Sequence, residues 1–228
     1  MKKSSILILI IICLVGCKKG SNETTITGEI KGLGTDTLYL YGMDELYDRI
    51  DTIYVENDKF SYTTSVDTIT SAYLLLKNRI EYPVFLDKGN KIKIKGDTIN
   101  LNFLTISGNI YNEEFTDFQK ALEDPADPSE KAGEETVDKR ITVEKANTAE
   151  EMAEEFILQH HSSYVSLYLL DKYFVQKETP DFSKIKKLVE VMTGVLQDKP
   201  YIERLNETIT QAEKSEIGKY APFFSLPT

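Results

Sequence analysis

The chain has 228 residues, enough for one large domain or two small ones with a sizeable buried core. Its 41% hydrophobic and 28% charged residues are ordinary for a globular protein and argue against general disorder. The net charge of −10, from 37 acidic and 27 basic residues, argues against a nucleic-acid partner, because phosphate binding needs clustered Lys and Arg.

The N-terminus has the pattern of a secretion signal. A positive start at Lys2 and Lys3 precedes an apolar run over residues 6–15, which is shorter than the roughly 20 residues that a membrane-spanning helix needs. The sequence Leu-Val-Gly-Cys that ends at Cys17 resembles the lipobox of bacterial lipoproteins, in which the cysteine thiol receives a diacylglycerol. The alternative is an uncleaved anchor with an incidental cysteine. We predict a lipoprotein signal peptide over residues 1–16 and lipid attachment at Cys17.

Cleavage before Cys17 would leave a mature chain without thiol chemistry. Cysteine occurs only at positions 13 and 17, so neither a free thiol nor a disulfide is expected. Loss of Lys2 and Lys3 would change the formal charge from −10 to −12. Residues 17–25 would form a flexible tether. We expect a location in the cell envelope, lipid-anchored to the outer membrane and facing the periplasm, since Lys18-Lys19 gives no sign of surface export.

Residues 26–108 have the pattern of a β domain. Short strands follow one another at tight spacing, with Gly, Asp and Asn in the turns and no helical period between them. The predicted strands are residues 26–30, 37–41, 52–55, 60–64, 72–76, 83–86, 91–95 and 103–106. Such spacing predicts an antiparallel β-sandwich or barrel. Lys91, Lys93 and Lys95 alternate with isoleucines and indicate a half-buried strand, for which an edge position is one interpretation.

From Tyr111 onward the apolar residues fall at helical spacing, beginning with Phe115 and Phe118. A Pro- and acid-rich loop over residues 123–133 interrupts the pattern. Further helices are predicted in 134–159, 164–174, 181–196 and 201–212. We predict that residues 109–216 form an α-helical bundle of four or five helices behind the β domain, so that the fold class is α+β.

No catalytic or metal site is evident among the residues. His160 and His161 are the only histidines, and neighbours on a helix point about 100° apart, so they do not bind one metal as an i, i+4 pair can. Capping a helix end is the preferred interpretation. Paired glutamates such as Glu150-Glu151 and Glu154-Glu155 are interpreted as solvated helix faces. We predict no cofactor, no metal and no enzymatic activity for this chain.

Tyrosine is frequent in the predicted strands. The six positions are Tyr39, Tyr41, Tyr54, Tyr62, Tyr73 and Tyr82. Cross-strand packing with an exposed hydroxyl is the preferred interpretation, and a tyrosine-lined face that binds a partner is the alternative. Aspartates beside the predicted turns leave calcium binding open, although no loop of the EF-hand kind accompanies them.

Three stretches, residues 27–30, 50–62 and 162–170, together resemble envelope lipoproteins of the Bacteroidota. In these proteins an N-terminal β domain of unknown function and a helical segment precede a TlpA/ResA-like (AhpC/TSA) thioredoxin domain. The C-terminal sequence IGKYAPFFSLP resembles the G-K-x-A-P-x-F-x-L-P opening of that domain, with Pro222 preventing continuation of a helix. Asn57-Asp58 departs from the family, which often has Asp-Gly there. Residues 217–228 are expected to be the opening stub of a thioredoxin-like domain whose Cys-x-x-Cys this sequence lacks.

The resemblance implies a lipid-anchored, non-catalytic accessory region of a periplasmic thiol-disulfide oxidoreductase-like lipoprotein. Its expected partners are the membrane, through the lipid on Cys17, and a thioredoxin-like domain or another envelope protein, with no nucleic acid. A second hypothesis is a stand-alone envelope lipoprotein that uses its β-sandwich face to bind a protein or a glycan. A hydrolase built on Asp and Glu is disfavoured, because no apolar pocket for a carboxylate pair is evident.

Overall fold

A computed structural model describes residues 22–123 and 149–215, and its N-terminal part consists of two four-stranded β-sheets. The strands are β1 (Glu23–Lys31), β2 (Asp36–Gly42), β3 (Ile50–Val55), β4 (Lys59–Ser65), β5 (Thr70–Leu75), β6 (Glu81–Leu86), β7 (Lys91–Asp97) and β8 (Thr105–Ser107). Sheet A has the strand order β4-β1-β7-β8, and sheet B has the order β3-β2-β5-β6. The predicted α+β fold with an N-terminal β-sandwich is confirmed.

Alternation of apolar and polar residues explains how the two sheets share a core. Ile26 and Ile30 on β1 are fully buried, as are Leu38 and Leu40 on β2. The residue between Leu38 and Leu40, Tyr39, is exposed. Successive side chains of a strand point to opposite faces of its sheet, so each strand needs only one apolar face to contribute to the core.

Strand β7 lies inside sheet A, between β1 and β8. It pairs with β1 in parallel, with Ile26 opposite Ile92 and Gly28 opposite Ile94, whereas the other described strand pairs are antiparallel. The edge position considered for this strand is therefore wrong. Lysines alternate along β7 because the sheet has one solvated face, and that pattern is the same for an interior and an edge strand.

Five helices follow in the described part of the chain: α1 (Ile110–Glu123), α2 (residues 149–159), α3 (Tyr164–Leu170), α4 (Phe182–Val191) and α5 (Pro200–Ser215). A wider helical turn, Asp171–Val175, continues α3. The helices cover part of the outer face of sheet B, where the rings of Tyr73 on β5 and Tyr168 on α3 lie 6.2 Å apart. Ile185, Leu188 and Val189 of α4 are buried at the spacing that the sequence predicts.

Helix α1 covers the side of the sandwich where the edge strands β6 and β8 meet. The Asn112 side chain accepts a hydrogen bond from the Phe85 N–H at 3.0 Å and donates to the Phe85 carbonyl at 2.9 Å. One turn later, the Thr116 hydroxyl accepts from the Ile106 N–H at 3.0 Å and donates to its carbonyl at 2.9 Å. Both polar side chains are buried. They occupy the backbone groups that an edge strand leaves unpaired.

Gly28 is required because Phe60 approaches it closely from the neighbouring strand. The two residues are direct partners in the β1–β4 register, and a Cβ atom on residue 28 would lie 2.1 Å from Cζ of Phe60. We expect Gly28→Ala to lower the free energy of unfolding by about 1–3 kcal/mol, as overpacking of a core does. Urea denaturation of the full chain measures the change. An unchanged unfolding midpoint would contradict the close approach.

Two further variants separate this steric effect from a general loss of stability. Glu29→Ala lies on the exposed face of the same strand and should change the free energy of unfolding by less than about 0.5 kcal/mol. Phe60→Leu combined with Gly28→Ala should be less damaging than the sum of the two single changes, because the smaller side chain makes room for the new methyl group.

Candidate functional site

Most of the residues singled out from the sequence occupy ordinary structural positions. His160 follows the end of α2, where its Nδ1 lies 3.0 Å from the carbonyl oxygen of Phe156 and its ring stacks on the Phe156 ring at 4.0 Å. His161 is exposed. Residues 22–123 and 149–215 contain no group of three or more His, Cys, Asp or Glu side chains that could hold a metal ion. Cys17, residues 134–148 of the predicted helix and the segment 217–228 lie outside the described residues.

Asp171 is the centre of a polar cluster between sheet B and the helices. The Tyr201 hydroxyl donates to one carboxylate oxygen at 2.6 Å, and the Gln176 side chain donates to the other at 2.6 Å. Burial raises the pKa of Asp171, while the hydroxyls of Tyr201 and Tyr73 act in the opposite direction. These donors all come from the chain itself. The cluster therefore ties α3, α5 and β5 together.

Lys199 is a buried cation immediately before α5. Its Nζ donates to the carbonyl of Ile69 at 3.3 Å and lies 4.9 Å from the centre of the Tyr164 ring. Burial lowers the pKa of Lys199, and the nearby Asp44 carboxylate opposes this effect. Because the ammonium group contacts the residue before β5 and a ring of α3, it fixes the start of α5 against both.

Asp51 is the centre of a second network, which joins β3 of sheet B to β4 of sheet A. It accepts hydrogen bonds from the Tyr47 hydroxyl and, at 3.1 Å, from Nε of Arg49. Arg49 also donates to the carbonyl of Ser65 at 3.1 Å. Partial burial opposes ionisation, but the hydroxyls of Tyr47 and Tyr62 and the guanidinium of Arg49 hold the pKa of Asp51 below its usual value. The network connects two sheets that share no backbone ladder.

We expect the Asp51 network to weaken in acid. Because the pKa of Asp51 is lower in the folded state, its contribution to stability is present above the unfolded-state pKa of about 4 and is lost as the pH falls through the folded-state value. Asp51→Asn should therefore be less stable than the parent chain near pH 7, and the difference should shrink toward about pH 3. Urea unfolding across this range measures it. Asp48→Asn, at an exposed position, is the control, and parallel curves for Asp51→Asn and the parent chain would contradict the expectation.

The outer face of sheet B carries an exposed aromatic surface over β2 and β3. Tyr39 is 42% exposed, Ile50 72% and Tyr54 73%. We call these three residues the tyrosine face. Tyr39 lies opposite Thr52, and Tyr54 lies opposite Thr37, so threonines fill the positions beside the rings. β3 is also an edge strand, paired only with β2.

A row of side chains connects the tyrosine face to the helices. Ile50 lies opposite Tyr41, and Tyr41 lies opposite Tyr73 in the sheet register. The Tyr41 and Tyr73 rings lie 5.7 Å apart, and Tyr73 in turn contacts Tyr168 of α3. The Tyr41 hydroxyl donates to Glu81. The tyrosine face is thus held at a fixed position beside the helices, and large exposed apolar side chains on a rigid sheet suit contact with a partner.

The comparison with protein families concerns the sandwich. Residues 24–115 match DUF4369, a domain of unknown function. No curated protein and no solved structure shows significant similarity to the chain. The matched residues include the Asp51 network and the tyrosine face, and the match ends within α1. Asp171 and Lys199 lie outside it. Among residues 22–123 and 149–215, no helix is both long enough and apolar enough to cross a membrane.

Proposed function

We propose that this chain is a non-catalytic, lipid-anchored accessory region of a cell-envelope lipoprotein and that the tyrosine face is its contact surface. The observation that carries the proposal is the exposure of Tyr39, Ile50 and Tyr54 together on one rigid sheet. Exposed apolar patches mark interaction sites, and tyrosine is enriched at protein interfaces. The sequence has no cysteine after Cys17, so a thiol reaction would need residues from another domain.

The partner in this proposal is a thioredoxin-like domain of the TlpA/ResA type. Support comes from the resemblance of residues 27–30, 50–62, 162–170 and 217–227 to lipoproteins that contain such a domain. In the proposal, the lipid on Cys17 holds the chain at the periplasmic side of the outer membrane. The tyrosine face then positions the thioredoxin-like domain, whose Cys-x-x-Cys performs the thiol-disulfide exchange.

Titration of the full chain, in detergent, with a separately produced TlpA/ResA-type thioredoxin domain tests the proposal. We expect Ile50→Ala combined with Tyr54→Ala to weaken binding at least about tenfold, as the loss of two interface anchors does. Ile99→Ala is the control, because Ile99 is 92% exposed and lies outside the tyrosine face. Absence of binding, or equal weakening by the control, would overturn the assignment of the surface. Insulin reduction by the chain alone would overturn its non-catalytic role.

A stand-alone lipoprotein that binds a glycan is the second candidate. The alternation of Tyr39 and Tyr54 with Thr52 and Thr37 favours it, because rings stack on sugars while hydroxyls bond to their polar edges. Binding of peptidoglycan fragments by the chain without any thioredoxin domain, lost in Tyr54→Ala, would favour this candidate over the first.

A further inference from the structure

The outer face of sheet A is polar and contains a row of lysines. Lys91, Lys93 and Lys95 are the exposed positions of the interior strand β7. We call these three residues the lysine row. Lys91 lies opposite Thr25 and Lys93 opposite Thr27 on β1. On the other side of the row, β8 places Ser107 opposite Lys93 and Thr105 opposite Lys95.

The remaining charges on this face are few. Lys59 on β4 and Lys31 on β1 add positive charge, whereas the acidic side chains on the same three strands are Glu23, Glu29 and Asp97. Glu29 lies opposite both Lys59 and Lys95. None of the five lysines forms an ion pair within the described residues. A surface with more lysines than carboxylates is unusual for a chain of net charge −10, and it is complementary to an anionic surface.

A lipid on Cys17, as in the proposed function, would hold the N-terminal end of β1 near a membrane. Six residue steps separate Cys17 from Glu23, where β1 begins, and an extended chain spans at most about 3.5 Å per residue. An anchor at Cys17 would therefore hold the start of β1 within about 20 Å of the lipid. Lys91, opposite Thr25, is the lysine nearest to that end.

We propose that the lysine row docks the sandwich on an anionic phospholipid surface, with sheet A facing the head groups. The proposal rests on the proposed function only for the anchor at Cys17. Alternate residues of a strand lie roughly 7 Å apart, so the row is longer than the Debye length of about 8 Å at physiological salt. If the sandwich stood on its end, only Lys91 would reach the surface potential, whereas all three lysines reach it when sheet A lies flat.

This orientation is consistent with the rest of the molecule. Sheet B lies on the opposite side of the sandwich, and stacked sheets are about 10 Å apart. With sheet A on the membrane, the tyrosine face and the helices point away from the lipid toward the aqueous compartment. A soluble partner domain would then reach the tyrosine face without displacing the sandwich from the membrane.

Site-specific fluorescent labels on the full lipidated chain test the proposal. Because the sequence has no cysteine after Cys17, Thr27→Cys provides one labelling site beside the lysine row, and Glu203→Cys provides one on α5. The chain is placed on phosphatidylglycerol-containing vesicles or on neutral phosphatidylcholine vesicles, each with a head-group spin label as quencher. We expect the label at residue 27 to be quenched on anionic vesicles and much less on neutral ones, and the label at residue 203 to be quenched on neither.

Charge variants decide whether the lysine row is responsible. Each lysine at an anionic surface strengthens association roughly fivefold, so Lys91→Gln, Lys93→Gln and Lys95→Gln together should lower the ratio of docked to undocked chain by about 100-fold. The matched control changes three exposed lysines of the helices, Lys120, Lys187 and Lys214, to Gln and should leave the quenching unchanged. Equal quenching on both kinds of vesicle, or no effect of the three β7 changes, would overturn the proposal.

A separate measurement tests the lipid anchor at Cys17, independently of the lysine row. If mass spectrometry of the membrane-bound chain finds no diacylglycerol on Cys17, the lipid attachment in the proposed function is wrong. The label at residue 27 still reports on the lysine row in that case, because binding to added anionic vesicles does not need the lipid. Retention on anionic vesicles without quenching at residue 27 would overturn the docking proposal and leave the anchor in place.

Discussion

Phe115→Ala should lower the free energy of unfolding by about 3–5 kcal/mol, the largest loss that we expect from one substitution. Phe115 is 1% exposed. Its ring centre lies 5.1 Å from that of Tyr168, 5.6 Å from that of Tyr82 and 6.4 Å from that of Phe85. Truncation would leave a cavity at the point where α1, α3 and sheet B meet, and neighbouring rings relax only partly into such a space.

Urea unfolding, followed by circular dichroism on the full chain, measures this loss. Ile110→Ala, on the same helix and 62% exposed, is the control and should change the free energy of unfolding by less than about 0.5 kcal/mol. Because the Phe115 ring contacts both the sandwich and the helices, we expect the urea midpoints for loss of strand and of helix to shift together. A loss below about 1 kcal/mol, or a shift confined to the helices, would contradict the central role of Phe115.

Asn112→Ala is expected to cost about 2–4 kcal/mol. The substitution removes the only described hydrogen-bond partner of the Phe85 N–H and one of two partners of the Phe85 carbonyl, whose second partner is Asn109. A buried polar group left without a partner costs about 1–3 kcal/mol, and the lost side-chain volume adds to this. Thr116→Val, which removes both bonds to Ile106 at nearly constant volume, should have a similar effect.

Asn100→Ala is the matched control for Asn112→Ala. Asn100 also donates a side-chain hydrogen bond, to Glu123 at 2.7 Å, but this bond is exposed. Solvent replaces an exposed bond, so the control should lie within about 0.5 kcal/mol of the parent chain. If Asn112→Ala were equally mild, the side chain would not be replacing a strand at the edge of sheet B. Hydrogen exchange of the Phe85 amide provides a local readout of the same bond.

The sequence predicts where the strands and helices of this fold lie better than it predicts which of them pack or pair together. Alternation at Ile92 and Ile94 correctly predicts a strand with one buried face, but pairing between residues 25 and 91 depends on distant parts of the chain. That Asn112 and Thr116 bond to the edge strands β6 and β8 cannot be predicted from the sequence for the same reason. In sequence they are ordinary polar positions of an amphipathic helix, and their partners Phe85 and Ile106 become visible only when strands and helix are placed together.

The exposure of the tyrosine face could not be predicted from the sequence for the same reason. Tyr39 and Tyr73 each stand between two apolar residues of their strands, yet Tyr39 is exposed and Tyr73 packs against Tyr168. The difference arises because α3 lies over β5 and leaves β2 uncovered. Asp171 was missed because it ends an apolar helix, where nothing local indicates donors from Gln176 and Tyr201. The sequence shows which side chains are aromatic or acidic. Whether such a side chain is exposed or packed depends on a helix that is distant in the sequence.

The parallel pairing of β1 with β7 also determines when the protein can fold. β1 lies inside sheet A, but its partner in the register begins at Lys91. Pairings this far apart along the chain must overcome loop-closure entropy first, so we expect the sandwich to fold in roughly milliseconds to seconds rather than microseconds. Sheet A is complete only when β8, which ends at Ser107, has joined it. In the lipoprotein proposed above, the sandwich would therefore stay unfolded until Ser107 had crossed the membrane, well after Cys17 had crossed.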